Sequence, residues 1–271
     1  MAQQQRGRRQ EDSNNNHENE EEVIVTVLYG SETGDSKKAA EHIARQMQEC
    51  LAPDVLTLIA DYDFDDDDDD DYYDDEPPRV RATLQTLDGF LKAGAPWTEH
   101  VVIVVSSYDE GEAPQNARSF RRLCDGVLKR KKQEQPCPLG GIRYHLLGLG
   151  DSSWDTYLKN PKVMDRALQT LGAERVGPMG EADCDGPSQE EDIRLWTKAM
   201  WSRLANSIMK SHHEQLKKKK NRKNHLLAGE QEEQEEAEQK KPLLWAEETT
   251  KLYKSLVKKR KPKPQSYWDG F

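Results

Sequence analysis

The sequence predicts an open, parallel α/β sheet of five strands with helices on both faces. Apolar runs such as VIVTVL (23–28) and HVVIVVSS (100–107) have the continuous hydrophobic character of strands that are buried on both sides. Such runs alternate along the chain with segments whose apolar residues recur at helical spacing. This alternation is typical of a doubly wound sheet.

The elements follow one another in a regular order. Strands are predicted at residues 23–28, 54–60, 100–107 and 142–150, with a short fifth strand near Arg175 and Val176. Helices are predicted at residues 36–50, around Leu84, Leu87 and Leu91, at residues 115–131, at residues 161–171, and around Ile193, Trp196 and Met200.

Polarity divides the chain into three parts. The 271 residues have a formal net charge of −10 and a mean hydropathy of −1.00, which is too polar for one uniformly packed domain. We expect a disordered leader at 1–22, a folded domain at 23–206 and a charged, basic tail at 207–271. An acidic low-complexity insertion at about 61–78 interrupts the domain; a calcium site there is the weaker alternative, because the Asp run lacks the Gly turn and spaced ligands of a calcium loop.

Charge follows the same division. The leader has three basic and six acidic residues and the tail sixteen basic and ten acidic, so the folded domain carries −13. An acidic domain suits a basic protein partner, and nucleic acid is expected to bind only through the basic clusters at 217–223 and 258–264. A charged helical or disordered tail without a ligand is the alternative.

Cysteine spacing and hydropathy bear on the cellular compartment. Four widely spaced cysteines without a C-x-x-C pair favour free thiols in a reducing compartment, and they predict no metal site. No apolar run approaches the ~18 residues of a membrane span, and the leader lacks the apolar core of a secretory signal. We therefore expect a cytoplasmic protein with no membrane span; the basic clusters also allow a nuclear one.

Three unusual loops follow the first, third and fourth predicted strands, at the sheet edge where doubly wound folds bind their ligands. The first, YGSETGDS (29–36), places Ser31, Thr33 and Ser36 at the start of a helix, where unpaired N–H groups can hold an anion. It has neither the G-K-[ST] of a Walker loop nor the G-x-G-x-x-G spacing of a dinucleotide site. A phosphate site and a simple capped turn both fit this stretch.

The other two loops carry one aromatic residue each. Tyr108 lies in SSYDEGEAPQNA (106–117) and Trp154 in GLGDSSWDTY (148–157). Aromatic residues at such positions often pack at the edge of the core. Two of them beside one anion site form a slot for a flat heteroaromatic ring.

The loops resemble those of flavodoxin-like FMN domains, specifically the FMN-binding half of diflavin reductases of the cytochrome P450 reductase family. The resemblance covers roughly residues 23–206. It rests on YGSETGDS, SSYDEGEAPQNA and GLGDSSW, together with the acidic stretch GEADCDG (180–186), in the family's order. It implies a strand order of 2-1-3-4-5, FMN as the cofactor and one-electron transfer as the function.

The same resemblance implies which residues hold the cofactor. Residues 31–36 would wrap the phosphate, and Tyr108 and Trp154 would sandwich the isoalloxazine ring. The complete implied set is Ser31, Glu32, Thr33, Gly34, Asp35, Ser36, Ser106, Ser107, Tyr108, Asp109, Leu149, Gly150, Asp151, Ser152, Ser153, Trp154, Asp155, Thr156, Tyr157, Leu158 and Asp183.

Two residues depart from the family's pattern. Asp109 stands where these reductases usually have Gly, so the flavin should still bind but with weaker tuning of its potential. Asp35 replaces the more usual Thr or Asn, and its carboxylate would oppose a phosphate dianion that it faced.

Partners are expected to be separate proteins. After residue 206 nothing resembles the NADPH/FAD half of the diflavin reductases. We therefore expect a separate NAD(P)H-dependent reductase as donor and a separate acceptor protein. They would dock on an acidic rim formed by Glu110, Glu112, Asp155, Asp183 and Asp185. The alternative is that these acids only keep the surface soluble.

Three other functions stay open. The first is a flavodoxin-fold binding or scaffold protein with weak redox function, which Asp109 favours. The second is an RNA- or chromatin-associated protein that binds through its basic tail at 207–271. The third is an NAD(P)H-dependent FMN quinone reductase, which would accept hydride directly.

Overall fold

A computed structural model describes residues 22–63, 76–130 and 137–227, with side chains for all of these except 59–63 and 223–227. Its strands are β1 (Glu22–Gly30), β2 (Arg79–Thr86), β3 (His100–Ser106), β4 (Arg143–Gly150), β5 (Glu174–Arg175) and β6 (Gly180–Asp183). Its helices are α1 (Asp35–Cys50), α2 (Pro53–Asp63), α3 (Leu87–Ala93), α4 (Arg118–Leu128), α5 (Lys159–Thr170) and α6 (Gln189–Leu227), with a short 3-10 turn at Gln115–Ala117 before α4.

The strands form one parallel sheet in the order β2-β1-β3-β4-β5. This order and the parallel pairing confirm the predicted fold class. The fifth position is divided, because β5 pairs with the first residues of β4 and β6 pairs with its last four. The sequence predicts only the first of these two segments as a strand.

Helices cover both faces of the sheet. Alternate residues of β3 point to opposite sides: Val101, Ile103 and Val105 pack with α3, α4 and α5, whereas Val102 and Val104 pack with α1, α2 and α6. All four valines and the isoleucine are fully buried, as expected of β3, the central strand of the sheet.

The predicted second strand at 54–60 is wrong. These residues belong to α2, in which Pro53 occupies the first turn and Leu56 is buried against the α6 side of the core. A short apolar run such as VLTLIA does not by itself distinguish a strand from a helix. The Pro-Asp start favours a helix, and the packing of one helical face on α6 stabilises it.

The second strand is β2, a segment whose Leu84 the sequence assigns to a helix. Val80 is buried while Arg79 and Arg81 are exposed, as in a strand at the edge of a sheet. The helix begins only at Leu87, because the Thr86 hydroxyl accepts the Gly89 N–H at 2.9 Å and caps α3. Leu87 and Leu91 lie in this helix, as predicted, and Leu84 does not.

Helix α6 passes residue 206 without interruption. Ile208, Met209 and Ser211 lie beyond that residue and are buried against the sheet and its neighbouring helices. The first four residues of the basic cluster at 217–223 follow on the same helix and are exposed.

Several predicted segments lie outside the described residues: residues 1–21 of the leader, residues 64–75 of the acidic insertion, and the tail from 228 onward with its cluster at 258–264. Within the described ranges, no helix combines the length and the hydropathy that crossing a bilayer requires.

Candidate functional site

Three loops meet at the carboxyl edge of the sheet. We call them the Ser31 loop (31–34, after β1), the Tyr108 loop (107–114, after β3) and the Trp154 loop (151–158, after β4). Strands β1, β3 and β4 are adjacent and parallel, so their ends bring the three loops together. Strand order reverses between β1 and β3, which is the place where this class of sheet binds ligands.

The Ser31 loop leads into a helix that has no side-chain cap. Gly34 occupies the capping position with φ 109°, and its N–H donates to Ser31 Oγ at 3.0 Å. A Cβ built on Gly34 would meet no atom within 4 Å, so there is open space beside the first turn of α1. Backbone N–H groups at an uncapped helix start, with open space before them, suit a phosphate.

Two residues outside the predicted set shape this loop. Asn116 Oδ1 accepts the Ser31 N–H at 2.9 Å, and the Gln115 N–H donates to Glu32 Oε2 at 2.7 Å. The 3-10 turn after β3 therefore supports the loop after β1. Sequence reasoning misses Asn116 because its partner lies 85 positions away.

Asp35 lies in the first turn of α1 and is ionised. Its carboxylate accepts hydrogen bonds from Thr33 Oγ1 at 2.8 Å and from Lys38 Nζ at 3.3 Å. These two donors hold the pKa of Asp35 below its ordinary value. The Thr33 hydroxyl, predicted as a phosphate donor, is thus directed to Asp35.

The Tyr108 loop is a tight turn with its aromatic side chain outside. Tyr108 and Glu112 exchange both backbone hydrogen bonds, at 3.0 and 2.7 Å, and Asp109 lies in the left-handed region with φ 47°. This conformation is the one that Gly adopts freely and that Asp tolerates better than most residues. The Tyr108 side chain is 44% exposed, so it is available to a ligand.

The Trp154 loop is held from two sides. Asp151 Oδ1 accepts from the N–H and the hydroxyl of Ser153, while Asp183 Oδ1 accepts the Ser152 N–H at 2.9 Å. These bonds hold the pKa values of Asp151 and Asp183 below their ordinary range. Trp154 itself is 58% exposed.

Two hydrogen bonds connect the Tyr108 loop to its neighbours, one to the Trp154 loop and one to the end of β4. Thr156 Oγ1 donates to the Asp109 carbonyl at 3.3 Å, and the Ser107 N–H donates to the Leu149 carbonyl at 2.9 Å. The aromatic loops are therefore parts of one surface.

Some of the predicted site residues have side chains that point into the core. Leu149 is 2% exposed, Leu158 is fully buried and Ser36 is 1% exposed, so they can offer a ligand little more than their backbone. Tyr157 is partly buried: a Cβ on Gly150 would lie 2.9 Å from its ring. Burial, followed by the charges of Asp183 and Glu181, raises the pKa of Tyr157 to about 12.

The acidic rim is exposed as a group around these loops. Glu110, Glu112, Asp155 and Asp185 are exposed, whereas Asp183 is half-buried by its bonds to the Trp154 loop. This edge of the sheet is accordingly negative next to the two aromatic side chains.

Comparison with known proteins agrees with this geometry. The flavodoxin family model matches residues 81–196. NADPH–cytochrome P450 reductase from Aspergillus oryzae is 28% identical over 186 residues, which is 67% of this chain and 23% of the reductase. The alpha component of the NADPH sulfite reductase flavoprotein from Bacillus subtilis is 28% identical over 160 residues, which is 59% of this chain and 21% of that protein.

Solved flavodoxin structures are also similar. A flavodoxin from Streptococcus pneumonia has a TM-score of 0.42 at 17% identity, covering 68% of this chain and 99% of that one. An oxidised flavodoxin from Bacillus cereus has a TM-score of 0.42 at 17% identity, covering 68% and 99%.

The strand order defines the class of fold as flavodoxin-like, and residues 81–196 are similar to the flavodoxin family. The chain's sequence resembles NADPH–cytochrome P450 reductases, of whose length it spans about a quarter. Both findings confirm the predicted resemblance. The family match begins at residue 81, so the assignment of the Ser31 loop rests on its own geometry.

FMN is the cofactor of this class, and the described residues fit it. An uncapped helix start with open space stands at one end of the site, for a phosphate, and two exposed aromatic side chains stand at the other, for a flat ring. FMN supplies the redox chemistry when it is bound, and the protein orients it.

Proposed function

We propose that this protein holds FMN at the carboxyl edge of its sheet and carries single electrons between a donor protein and an acceptor protein. The observation that carries the proposal is the arrangement at one edge of an uncapped helix start, two exposed aromatic residues and a ring of acidic side chains. The helix start would bind a phosphate, the two aromatic residues a flat ring, and the acidic side chains a basic partner.

Each loop has its own task in this proposal. The N–H groups at the start of α1 and the Ser31 hydroxyl bind the phosphate, and the Thr33 hydroxyl joins them when it leaves Asp35. Tyr108 and Trp154 enclose the ring and exclude water from its faces, and the backbone of residues 106–109 and 149–158 borders its edge. Asp183 orients the Trp154 loop through the Ser152 N–H.

The partners dock where the ring is least covered. An NAD(P)H-dependent flavoprotein is the proposed donor, and a redox protein with a basic surface is the proposed acceptor. Both would meet the acidic rim, whose charge raises the rate of encounter with a basic protein more than it raises affinity.

The cellular compartment proposed is a reducing one, the cytoplasm or the nucleus. All four cysteines, Cys50, Cys124, Cys137 and Cys184, are free thiols.

Titration of the purified protein with FMN tests the cofactor site. We expect wild type to quench flavin fluorescence with saturable binding. A Tyr108→Ala, Trp154→Ala double variant should bind about a hundredfold more weakly, because two stacking contacts and their buried area are lost. A Leu58→Ala, Leu84→Ala variant, which removes exposed apolar side chains elsewhere, serves as the control. Equal affinities of the three proteins would contradict the proposed slot.

Stepwise photoreduction of the FMN-loaded protein tests the electron-carrier role. A one-electron carrier should be reduced in two resolved steps, seen as separate changes in the visible spectrum. Reduction by NADPH without any added protein would instead support the quinone reductase alternative.

Salt dependence of electron transfer tests the acidic rim. The photoreduced protein should reduce a small basic haem protein at a rate that falls steeply with ionic strength. Replacing Glu110, Asp155 and Asp185 by their amides should lower that rate at low salt by about tenfold and flatten its salt dependence. Amides at Glu49, Glu174 and Glu214, exposed acids outside the rim, should leave both unchanged.

A further inference from the structure

Two backbone carbonyls, one just before the Tyr108 loop and one within it, accept hydrogen bonds from side chains that lie outside the loop. Asn160 Nδ2 donates to the Ser106 carbonyl at 2.8 Å, and Arg121 Nη1 donates to the Gly111 carbonyl at 3.2 Å. These two acceptors stand at the beginning and the end of the turn that presents Tyr108. Its flanks are therefore held by α5 and α4, respectively.

Asn160 and Arg121 also bind each other. Arg121 Nη1 donates to Asn160 Oδ1 at 3.1 Å, and the Asn160 N–H donates to Ser107 Oγ at 3.0 Å. Asn160 is fully buried, so its side chain has no water to replace a lost partner, whereas Arg121 is partly exposed. Arg121 is fixed in turn by Asp125, which accepts its Nε–H at 3.0 Å.

Backbone hydrogen bonds close the turn itself, between Tyr108 and Glu112 and from the Gly111 N–H to the Asp109 carbonyl, but they do not join it to α4 or α5. It contains Asp109 at φ 47°, a conformation that costs free energy for a residue other than glycine, and Gly111 at φ 80°, which glycine adopts freely. Its remaining side-chain contacts are longer: Thr156 Oγ1 to the Asp109 carbonyl and Lys159 Nζ to the Glu110 carbonyl, both at 3.3 Å and both exposed. The position of the loop against α4 and α5 therefore depends on Asn160 and Arg121.

We infer that Asn160 and Arg121 form a clamp that sets the Tyr108 loop in its ligand-binding shape before the cofactor arrives. This inference rests on the proposed function, in which Tyr108 covers one face of the ring. Both are positioning residues: they touch the loop and not the cofactor. A preformed loop binds more tightly because no conformational entropy has to be lost to order it when the ligand binds.

Arg121→Met is the decisive variant, with Arg122→Met as its matched control. Arg121→Met keeps the apolar stem and removes the bonds to Gly111 and Asn160. Arg122 is the neighbouring arginine and donates to Ser119 Oγ, away from the loop. In the apoprotein, the amides of Tyr108, Gly111 and Glu112 should exchange hydrogen at least tenfold faster in Arg121→Met, while those of the Ser31 loop stay as in wild type. Arg122→Met should match wild type throughout.

Ligand affinity gives the second readout. Arg121→Met should bind FMN about tenfold more weakly than wild type does. It should also bind riboflavin, which lacks the phosphate, more weakly by the same factor. Asn160→Asp, which replaces the Nδ2 donor facing the Ser106 carbonyl by an oxygen, should act in the same direction, and the double variant should lose no more than the stronger single one.

The outcomes separate the clamp from the proposed function. If the loop amides of Arg121→Met exchange within twofold of those of Arg122→Met, the clamp is wrong, whatever the affinities. If wild type takes up no FMN, the proposed function is wrong, and the exchange rates of the apoprotein still decide whether the clamp exists. A loss of affinity for FMN alone, with riboflavin unaffected, would place the effect at the phosphate and overturn the clamp.

Discussion

Asp35 places a negative charge beside the proposed phosphate site. Its pKa lies below the ordinary value because Thr33 and Lys38 donate to it, so the carboxylate is ionised at neutral pH. It also engages the Thr33 hydroxyl, which is one of the donors that the phosphate would use. The residue therefore opposes phosphate binding by charge and by competition for a donor.

We expect Asp35→Asn to tighten FMN binding by about two- to fivefold, corresponding to about 0.4–1 kcal/mol for a half-exposed charge. Fluorescence titration with FMN and with riboflavin measures the effect. Riboflavin affinity should not change, since it has no phosphate to be repelled. Glu41→Gln, one turn and a half further along α1, is the control, and a weaker FMN complex in Asp35→Asn would show that the carboxylate supports the loop instead.

At the level of elements, α6 is the helix that closes one face of the sheet. Its apolar residues pack with α1, α2 and the strands as far as Met209, beyond the point where the sequence becomes dominated by charge. Ser211 binds both Glu99 and Arg143 at the amino edge of β3 and β4, and Arg143 is paired with Glu99. The helix is thus docked over most of its first 23 residues.

Ile208→Ala tests this docking. Ile208 is fully buried, so removing its side chain should lower the free energy of unfolding by about 2–4 kcal/mol, measured by urea denaturation. Lys210→Ala, on an exposed position two residues later, should change it by less than about 0.5 kcal/mol. Similar stabilities of the two variants would mean that the helix beyond 206 contributes nothing to the domain.

For the whole molecule, two buried histidines couple folding to pH. His100 and His145 are each 2% exposed and lie on neighbouring strands. Burial, with the charge of Arg143, lowers the pKa of His100 to about 3; burial, with the charges of His100 and Arg203, lowers that of His145 to about 4. The folded protein therefore holds both rings neutral where the unfolded chain would protonate them.

Stability should be complete above pH 6.5, the ordinary pKa of histidine, and should fall as the pH drops below it. Below that pH the two histidines bind protons in the unfolded chain but not in the folded protein. The free energy of unfolding therefore keeps decreasing until the pH reaches the folded pKa values. Between pH 6.5 and 5 the two histidines together lower the free energy of unfolding by at most about 4 kcal/mol. Urea midpoints across this range measure it.

His42→Gln, at an exposed position, should keep the full pH dependence, whereas His145→Gln should flatten it by about half. A slope in His145→Gln equal to that of wild type would assign the acid sensitivity to other groups.

The sequence alone determined the class of fold and the three loops of the site, because these depend on local patterns. Continuous apolar runs at 23–28, 100–107 and 142–150 require strands buried on both faces, and turn residues followed by a helical pattern place a loop at each strand end. Tyr108, Trp154 and the Ser31 loop were predictable for that reason.

Only the tertiary structure decided the elements whose local pattern is ambiguous. Residues 54–60 are apolar enough for either a strand or a helix, and the place beside β1 is taken by Arg79–Thr86, so they pack as a helix on α6. The residues that support the site, Asn116, Arg121 and Asn160, were likewise invisible in the sequence. Each acts on a partner in another loop, and a hydrogen bond between distant positions leaves no periodic or local signal in the chain.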